Sequence, residues 1–348
     1  MRHKPIRIIG GGLAGLTLGI GLRNQDVPVT VIEAGAYPRH RVCGEFINGR
    51  GQKVLEQFGF IEGLKSLGAT EAQTVKFWSG ESSSPMRYLR ESALCLSRFR
   101  LDTFLAEEFA RRGGDLRSTE RHEGDFQAEG LVRATGRRYA DVETGRHWHK
   151  WFGLKMHARK LELWADLEMH SLPGGYVGLC RIENDEVNIC GLFDKSAGSM
   201  GGKAWIQTVT QKACSDLAKR LAAAELDETS FCAVAGISLR RPGASKLNEC
   251  ALGDSFAVIP PVTGNGMSVA FESAALAVGP LTAYSRREIS WAVARQQIGM
   301  RMDKTFKRRL IWAGRLQRLM LLPPNLAFIG KSLLRSQIAW SFLFSKTR

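Results

Sequence analysis

Residues 6–15 read Ile-Arg-Ile-Ile-Gly-Gly-Gly-Leu-Ala-Gly, and the fold turns on this stretch. Ile6–Ile9 predicts a short buried strand that runs straight into the glycines. Leu13–Leu22 predicts a helix, and Val29–Ile32 a second strand ending at Glu33. Strand, G-x-G-x-x-G loop, helix and strand in that order form a β-α-β unit of the dinucleotide-binding kind. Gly10 permits the tight turn off the strand, Gly12 leaves bare backbone for a pyrophosphate, and Gly15 lets the helix lie close on the strands. Gly10, Gly12, Leu13, Ala14 and Gly15 are therefore the expected phosphate loop, where free N–H groups meet the positive end of the helix dipole. Glu33, followed by Ala34, stands where a carboxylate accepts hydrogen bonds from an adenosine ribose. It would repel a 2′-phosphate, so NADP is not expected in this site. The motif alone does not separate NAD from FAD.

The chain has 348 residues, enough for one large or two interleaved domains, with 44% hydrophobic and 24% charged residues as in ordinary globular proteins. Seven scattered cysteines without a C-x-x-C pair suit a reducing cytosol better than a disulfide framework or a zinc site. The first strand begins almost at once, so no signal peptide is expected. No run reaches the roughly 18 uncharged apolar residues of a membrane-spanning helix. A cytoplasmic location, peripheral at a membrane if anywhere near one, is the expectation. The net charge of +15 is unevenly placed: Arg286–Arg348 holds fourteen Lys and Arg against only Glu288 and Asp303.

Further along, helices are predicted at Gly51–Phe58 and Asp102–Arg112, and strands at Gln73–Trp78 and Gly130–Ala134. Strand-like runs follow at Lys160–Glu168, Gly175–Arg181 and Val187–Leu192. A helix is expected over Ala204–Ala224, then strands at Ala233–Leu239 and Glu249–Leu252. Helices from Met267 carry the chain onward, broken at Pro323-Pro324.

Three separated stretches carry a family resemblance. The first is the opening unit with Glu33. The second is Ser97-Arg98 leading into Leu101-Asp102. The third is Leu252-Gly253-Asp254-Ser255-Phe256-Ala257 with Pro260-Pro261-Val262-Thr263-Gly264-Asn265-Gly266-Met267 behind it. Together they resemble the FAD-dependent oxidoreductases of the p-hydroxybenzoate hydroxylase and geranylgeranyl reductase superfamily, and their joint occurrence points to FAD. The resemblance implies an α/β fold: a Rossmann-like FAD-binding domain interleaved with a β-sheet substrate domain, plus C-terminal helices. It places the FAD domain at 1–73, 94–144 and 232–285, the substrate domain at 74–93 and 145–231, and a basic helical segment at 286–348. Arg98, Gly253, Asp254, Gly264, Asn265, Gly266 and Met267 are then cofactor-binding. Asp254 can accept from ribityl hydroxyls, and Gly264 and Gly266 allow backbone to approach the flavin edge. The helix from Met267 aims its N-terminus at the pyrimidine side of the ring, where charge collects on reduction.

Tyr37-Pro38-Arg39-His40-Arg41-Val42-Cys43-Gly44-Glu45 resembles segments that run beside the flavin in geranylgeranyl reductases and in flavin-dependent halogenases. Arg41 is expected on the FAD pyrophosphate. Cys43 is either a proton donor or a small apolar filler. Gly174-Gly175-Tyr176-Val177-Gly178-Leu179 resembles a reductase segment that shapes a lipid site, though Gly178, Leu179 and Cys180 replace its bulky residues. Tyr176 either lines a substrate cavity or is a core tyrosine. His147, His149, His157 and Glu162 lack further ligand spacing, and no metal is expected. A W-x-W-x-x-P halogenase motif and a second dinucleotide loop are both missing, so electrons are expected from transient NAD(P)H or a separate flavin reductase.

The leading expectation is a monooxygenase that hydroxylates or epoxidises an apolar aromatic or polyketide-like substrate with oxygen activated at reduced FAD. The alternative is an ene-reductase that passes hydride from flavin to a C=C bond. A halogenase and a non-enzymatic FAD-binding protein rank below. In the basic segment, Ile298, Met302, Phe306 and Leu310 make an apolar stripe, crowded by Lys304, Lys307, Arg308, Arg309, Arg315 and Arg318. Ser332–Phe344 reads as a further helix. Two readings stand: helices that cap the core behind a solvated basic face, or a docking surface for anionic membrane lipid or an acidic carrier protein. Nucleic acid is not expected, because no binding motif accompanies the charge.

Overall fold

Ile6, Ile8 and Ile9 have almost no solvent exposure, which is why β1 (Ile6–Ile9) becomes a central strand with neighbours on both edges. In a computed structural model the described residues are 3–136, 151–194, 202–237, 243–320, 336, 341–342 and 345–347. β1 pairs in parallel with β2 (Val29–Glu33) on one side and β8 (Leu131–Arg133) on the other. β7 (Asp115–Ser118) and β14 (Cys250–Ala251) complete a parallel sheet ordered β14-β8-β1-β2-β7. α1 (Leu13–Arg23) is buried along nearly its whole length. It packs against α4 (Arg98–Arg111) and α7 (Gly266–Ser285), in a core that also takes Leu101, Phe109, Phe271 and Ala274. Burial on all sides explains why α1 reads as continuously apolar rather than amphipathic.

The second sheet draws on four stretches of chain: β3 (Phe46–Ile47), β4 to β6 (Thr70–Ser79, Ser82–Ser83 and Arg87–Cys95), β9 to β12 and β13. β9 is Trp151–Arg159, β10 Leu167–Leu172, β11 Gly175–Arg181, β12 Val187–Phe193 and β13 Glu225–Ile237. The path runs β13-β9-β12-β11-β10-β4-β6-β3, mostly antiparallel, with β10 parallel to β4. Its register sets two faces. The outer face packs Leu154, Met156, Val177 and Ile189 under α5 (Gly202–Lys212) and α6 (Ser215–Ala223). The inner face carries Lys155 and His157 of β9, Tyr176 of β11, and Cys190 and Leu192 of β12. These come into line because Lys155 pairs with Cys190, and Leu192 with Tyr176.

Several boundaries differ from the sequence reading. The strand expected at Lys160–Glu168 is instead β9 before it and β10 after it, with Lys160 at φ 55° turning the chain between. The helix expected over 204–224 is two helices, parted where Cys214 is extended at ψ 156°. α4 starts at Arg98, because the Ser97 hydroxyl accepts from Arg100 N at 3.2 Å and caps it there. The last strand of the second sheet runs from Glu225, ahead of the expected Ala233, and crosses the boundary drawn at 231. α2 (Gly49–Gln57) and β11 lie close to expectation, while the short α3 (Ile61–Ser66) was not expected. Pro323-Pro324 and most of Ser332–Phe344 lie outside the described residues.

Candidate cofactor and substrate site

The glycine loop is shaped by contacts rather than by flexibility. Gly10 turns at φ 109°, and a Cβ there would sit 2.3 Å from the Ala134 carbonyl oxygen. At Gly15 a Cβ would sit 1.9 Å from the Gly10 carbonyl oxygen, so α1 presses directly on the turn. Gly12 differs: its Cβ would point into open space, with the Arg98 guanidinium as the nearest atom at 4.0 Å. Gly12 also caps α1 without any side-chain hydrogen bond to the first turn, where Leu13 and Ala14 sit. An open cradle, a helix N-terminus and an arginine facing it are what a pyrophosphate requires, so these residues fit FAD.

Glu33 ends β2 as expected, but its carboxylate is already engaged. Oε2 accepts from Gly11 N at 2.7 Å, and Oε1 accepts from Gly35 N at 2.9 Å and Arg39 Nη1 at 2.8 Å. Burial pushes its pKa up, yet the Arg39 hydrogen bond and charge and the two backbone donors outweigh that and hold it below the usual value. Tyr37 donates its hydroxyl hydrogen to the Gly11 carbonyl, so Tyr37 and Arg39 close over the glycine turn beside Ala34. Arg41, 47% exposed, stands 3.8 Å from Glu33 at the rim.

Arg98 is clamped by the fully buried Asp102, at 2.6 Å from Nε and 2.7 Å from Nη2. Burial opposes its charge, but Asp102 outweighs burial and keeps the guanidinium protonated. The Cys43 thiol lies beside Arg98, and its pKa is raised by burial, which keeps it protonated. Glu183 fixes this corner from the other side, accepting from Ser97 N at 2.9 Å and from the Ser97 hydroxyl.

The third stretch closes the other end. Gly253–Ser255 forms one 3-10 turn directly after β14, and Gly253 packs against Ala14 of α1. Ser255 donates to the Gly136 carbonyl at 2.8 Å, joining Asp254's turn to Ala134-Thr135-Gly136. Gly264 adopts φ 61°, and a Cβ there would lie 2.0 Å from the Phe46 ring, so conformation and space both call for glycine. Asn265 is fully buried. It accepts from Asn48 and donates to the Thr347 carbonyl at 2.6 Å, which ties the start of α7 to the cap of α2 and to the C-terminal residues. Gly266 and Met267 open α7, again without a side-chain cap.

Facing this loop, the inner face of the second sheet offers an apolar wall. Tyr176 and Leu192 pack with Val262 of the loop, bordered by Trp151, Met169 and Leu316. The Tyr176 hydroxyl is buried without a hydrogen-bond partner, and burial raises its pKa well above the ordinary phenol value. A Cβ on neighbouring Gly178 would find nothing closer than 3.7 Å, and only backbone of adjacent strands.

A buried ionic group escaped the sequence reading. Glu45 has no solvent exposure and accepts from Arg98 N at 2.9 Å and His157 Nε2 at 2.7 Å, with Lys155 Nζ at 3.4 Å. Lys155 is equally buried and lies 3.1 Å from His40 Nδ1. Burial pushes Glu45 up, but His157 and Lys155 outweigh it and hold the carboxyl below its usual value. Burial, then the Lys155 charge, lowers His40 to about 4, so it is neutral. The sequence signal for this group is the Lys-x-His alternation of Lys155–His157, which lies in β9, ahead of the 160–168 run that reads as a strand. His147 and His149 lie outside the described residues, and His157 spends Nε2 on Glu45.

Cradle, clamped arginine and closing loop, set on a parallel sheet beside an antiparallel one, define a flavin-binding oxidoreductase fold. Residues 4–149 match the family model described as FAD binding domain. Over 69 residues the chain is 32% identical to 6-methylpretetramide 4-monooxygenase of Streptomyces rimosus, a match covering 20% of this chain and 16% of that relative. The fold superposes on the flavin-dependent brominase Bmp2 with TM-score 0.79 at 15% identity, covering 99% of this chain and 92% of that one. PqsL of Pseudomonas aeruginosa, solved with 2-aminobenzoylacetate, gives 0.73 at 16% identity, covering 99% and 100%. CmlS, a flavin-dependent halogenase, gives 0.72 at 17%, covering 92% and 64%. At such identities the structural likeness speaks for the fold alone. Residues 4–149 thus carry a FAD-binding domain, and the chain has the fold of the flavin-dependent monooxygenases and halogenases, in keeping with what its motifs resemble.

Proposed function

We infer that the chain is a FAD-dependent monooxygenase acting on an apolar, aromatic or polyketide-like substrate that bears one hydrogen-bond acceptor. The observation that carries this reading is the wall of Tyr176, Leu192, Met169 and Val262 facing the 260–267 loop, with one buried, unpartnered hydroxyl in it. An apolar wall holds substrate by burial and keeps water out. The protonated Tyr176 donates to a substrate oxygen and fixes which edge of the substrate is presented. When bound, FAD supplies the redox chemistry, taking electrons from a nicotinamide or a separate reductase and passing them to dioxygen. Gly12, Arg98 and the first turn of α1 would hold the diphosphate, Asp254 would support the ribityl chain, and the N-terminus of α7 would stabilise charge on the reduced flavin. The monooxygenase name of the Streptomyces rimosus relative supports the same class of reaction, over the short stretch that matches.

Ene-reduction is the second reading, favoured by Cys43: a buried, protonated thiol beside Arg98 is placed to donate a proton. Oxygen uptake and product mass separate the two. With a panel of aromatic polyketide phenols, NAD(P)H and a flavin reductase, the first reading expects oxygen consumption and products heavier by one oxygen atom. Products gaining two hydrogens without oxygen uptake replace it with the second. Under the monooxygenase reading Tyr176→Phe raises KM about tenfold, the worth of one hydrogen bond in a dry site.

A further inference from the structure

The basic segment resolves into two opposed faces. α8 (Trp291–Met320) is one helix of 30 residues, about 45 Å long at 1.5 Å per residue. Ile298, Met302, Phe306 and Leu310 turn inward and join the main core, each at most 4% exposed. Arg309 turns inward with them and pairs with Glu272 at 2.8 Å, so it leaves the basic cluster in which the sequence reading placed it. The outer face keeps Lys304, Lys307, Arg308, Arg315 and Arg318, all exposed. Among the described residues none of these five forms an ion pair. Asp303, the one acid on the helix, is held by Ala244 N at 2.7 Å and Ser245 N at 3.1 Å. Positions 304, 308, 311, 315 and 318 recur at helical spacing and so share a stripe. Like charges this dense repel one another, a cost that water and salt reduce and that an anionic surface turns into attraction.

The same stripe also exposes large apolar side chains: Val293 at 40%, Met300 at 51% and Ile311 at 40%. At its C-terminal half Trp312 meets Phe342 edge-on at 5.3 Å, and Phe342 is 47% exposed. Arg315 lies 4.8 Å over the Trp312 ring and Lys346 5.3 Å over the Phe342 ring. Cations framing exposed aliphatic and aromatic groups suit an interface whose headgroups are anionic and whose interior is apolar. An acidic protein surface would answer the charges and leave Met300, Ile311 and Phe342 without a complement. Among the described residues no helix is long and apolar enough to cross a membrane. Leu316, on the opposite side of this helix, packs in the cluster of Tyr176 and Val262.

We propose that the outer face of α8, with Phe342, docks on an anionic lipid surface, and that the substrate reaches the Tyr176 wall from that membrane. Only the second clause rests on the monooxygenase reading. The test is co-sedimentation of the full-length, flavin-loaded protein with mixed phosphatidylglycerol–phosphatidylcholine vesicles, set against pure phosphatidylcholine. Binding to the anionic vesicles alone is expected, weakening with salt. Lys304→Glu, Lys307→Glu and Arg308→Glu together should weaken it at least tenfold, since each such cation near a charged membrane contributes about fivefold. Ile311→Ser with Phe342→Ser should weaken binding while leaving it salt-sensitive. Unchanged flavin content shows that these variants remain folded. No vesicle binding, or binding to an acidic acyl carrier protein in place of vesicles, overturns the proposal. Vesicle binding needs no turnover, so its failure leaves the assigned reaction standing, and failure of that reaction leaves the docking result standing.

Discussion

Gly12 and Gly15 are three residues apart and carry opposite burdens. A side chain at 12 would enter the cradle and leave the fold intact, because the nearest atom to its Cβ is 4.0 Å away. At 15 the Cβ would overlap the Gly10 carbonyl at 1.9 Å. Gly12→Val should therefore keep its melting temperature without FAD but lose FAD affinity by at least tenfold, about 1.4 kcal/mol. Gly15→Ala should lower the melting temperature of the apoprotein itself. Flavin absorbance per protein and thermal scans check both. The Glu45 group makes a second expectation. Removing the buried ammonium by Lys155→Met leaves the buried Glu45 carboxylate with His157 and the Arg98 amide alone among the partners described above, and costs up to about 3–5 kcal/mol of stability in urea titrations. Its pH dependence follows from two depressed pKa values. Glu45 stabilises above the unfolded carboxyl pKa, and that contribution is lost as pH falls through its lower folded value. His40, neutral in the folded state with a pKa of about 4 against 6.5 unfolded, costs stability as pH drops from about 6.5 toward 4, because the unfolded chain then binds the extra proton. His40→Gln should flatten that limb of the stability curve.

At the level of elements, the loop before α7 is under two constraints at once. Gly264→Ala should destabilise through both its φ of 61° and its contact with Phe46, and Phe46→Ala should restore only the part due to contact. A double-mutant cycle in denaturant separates the two. These elements also show what the sequence could reveal. β1, α1, β2 and the loop at 260–267 were legible because their signals are local: glycines at fixed offsets and a run of buried aliphatics. β9 was not, since Trp151–Arg159 mixes Lys155 and His157 into an apolar strand, and only Glu45, over a hundred residues away, explains why they are buried. Glu33 was found, but Tyr37 and Arg39 closing over Gly11 were not, because that contact depends on the path of the chain after β2. The split of 204–224 at Cys214 had no Gly or Pro to announce it. On α8 the charge count was legible and its facing was not: Arg309 looked like its neighbours until Glu272 of α7 appeared opposite it.

For the whole molecule, the cradle joins parts of the chain that are far apart in sequence, so cofactor and fold should be thermodynamically linked. FAD at a hundred times its dissociation constant should add about 2.7 kcal/mol to unfolding stability. At the same FAD concentration Gly12→Val should cut that gain to about half or less, and thermal scans with and without FAD would show it. The order of strands in the parallel sheet has a temporal meaning as well. β1 needs β8 at residues 131–133, β8 needs β14 at 250–251, and Asn265 behind them needs Asn48. During synthesis the glycine loop leaves the ribosome well before Arg98 and Ala134, which complete its walls, and before β14. Until residue 250 emerges, the edge of β8 is unpaired and the nucleotide site unfinished. Long-range parallel pairing of this kind folds slowly. Flavin should therefore be taken up only after the chain has passed residue 250, so a short supply leaves finished but cofactor-free chains that lack the added stability.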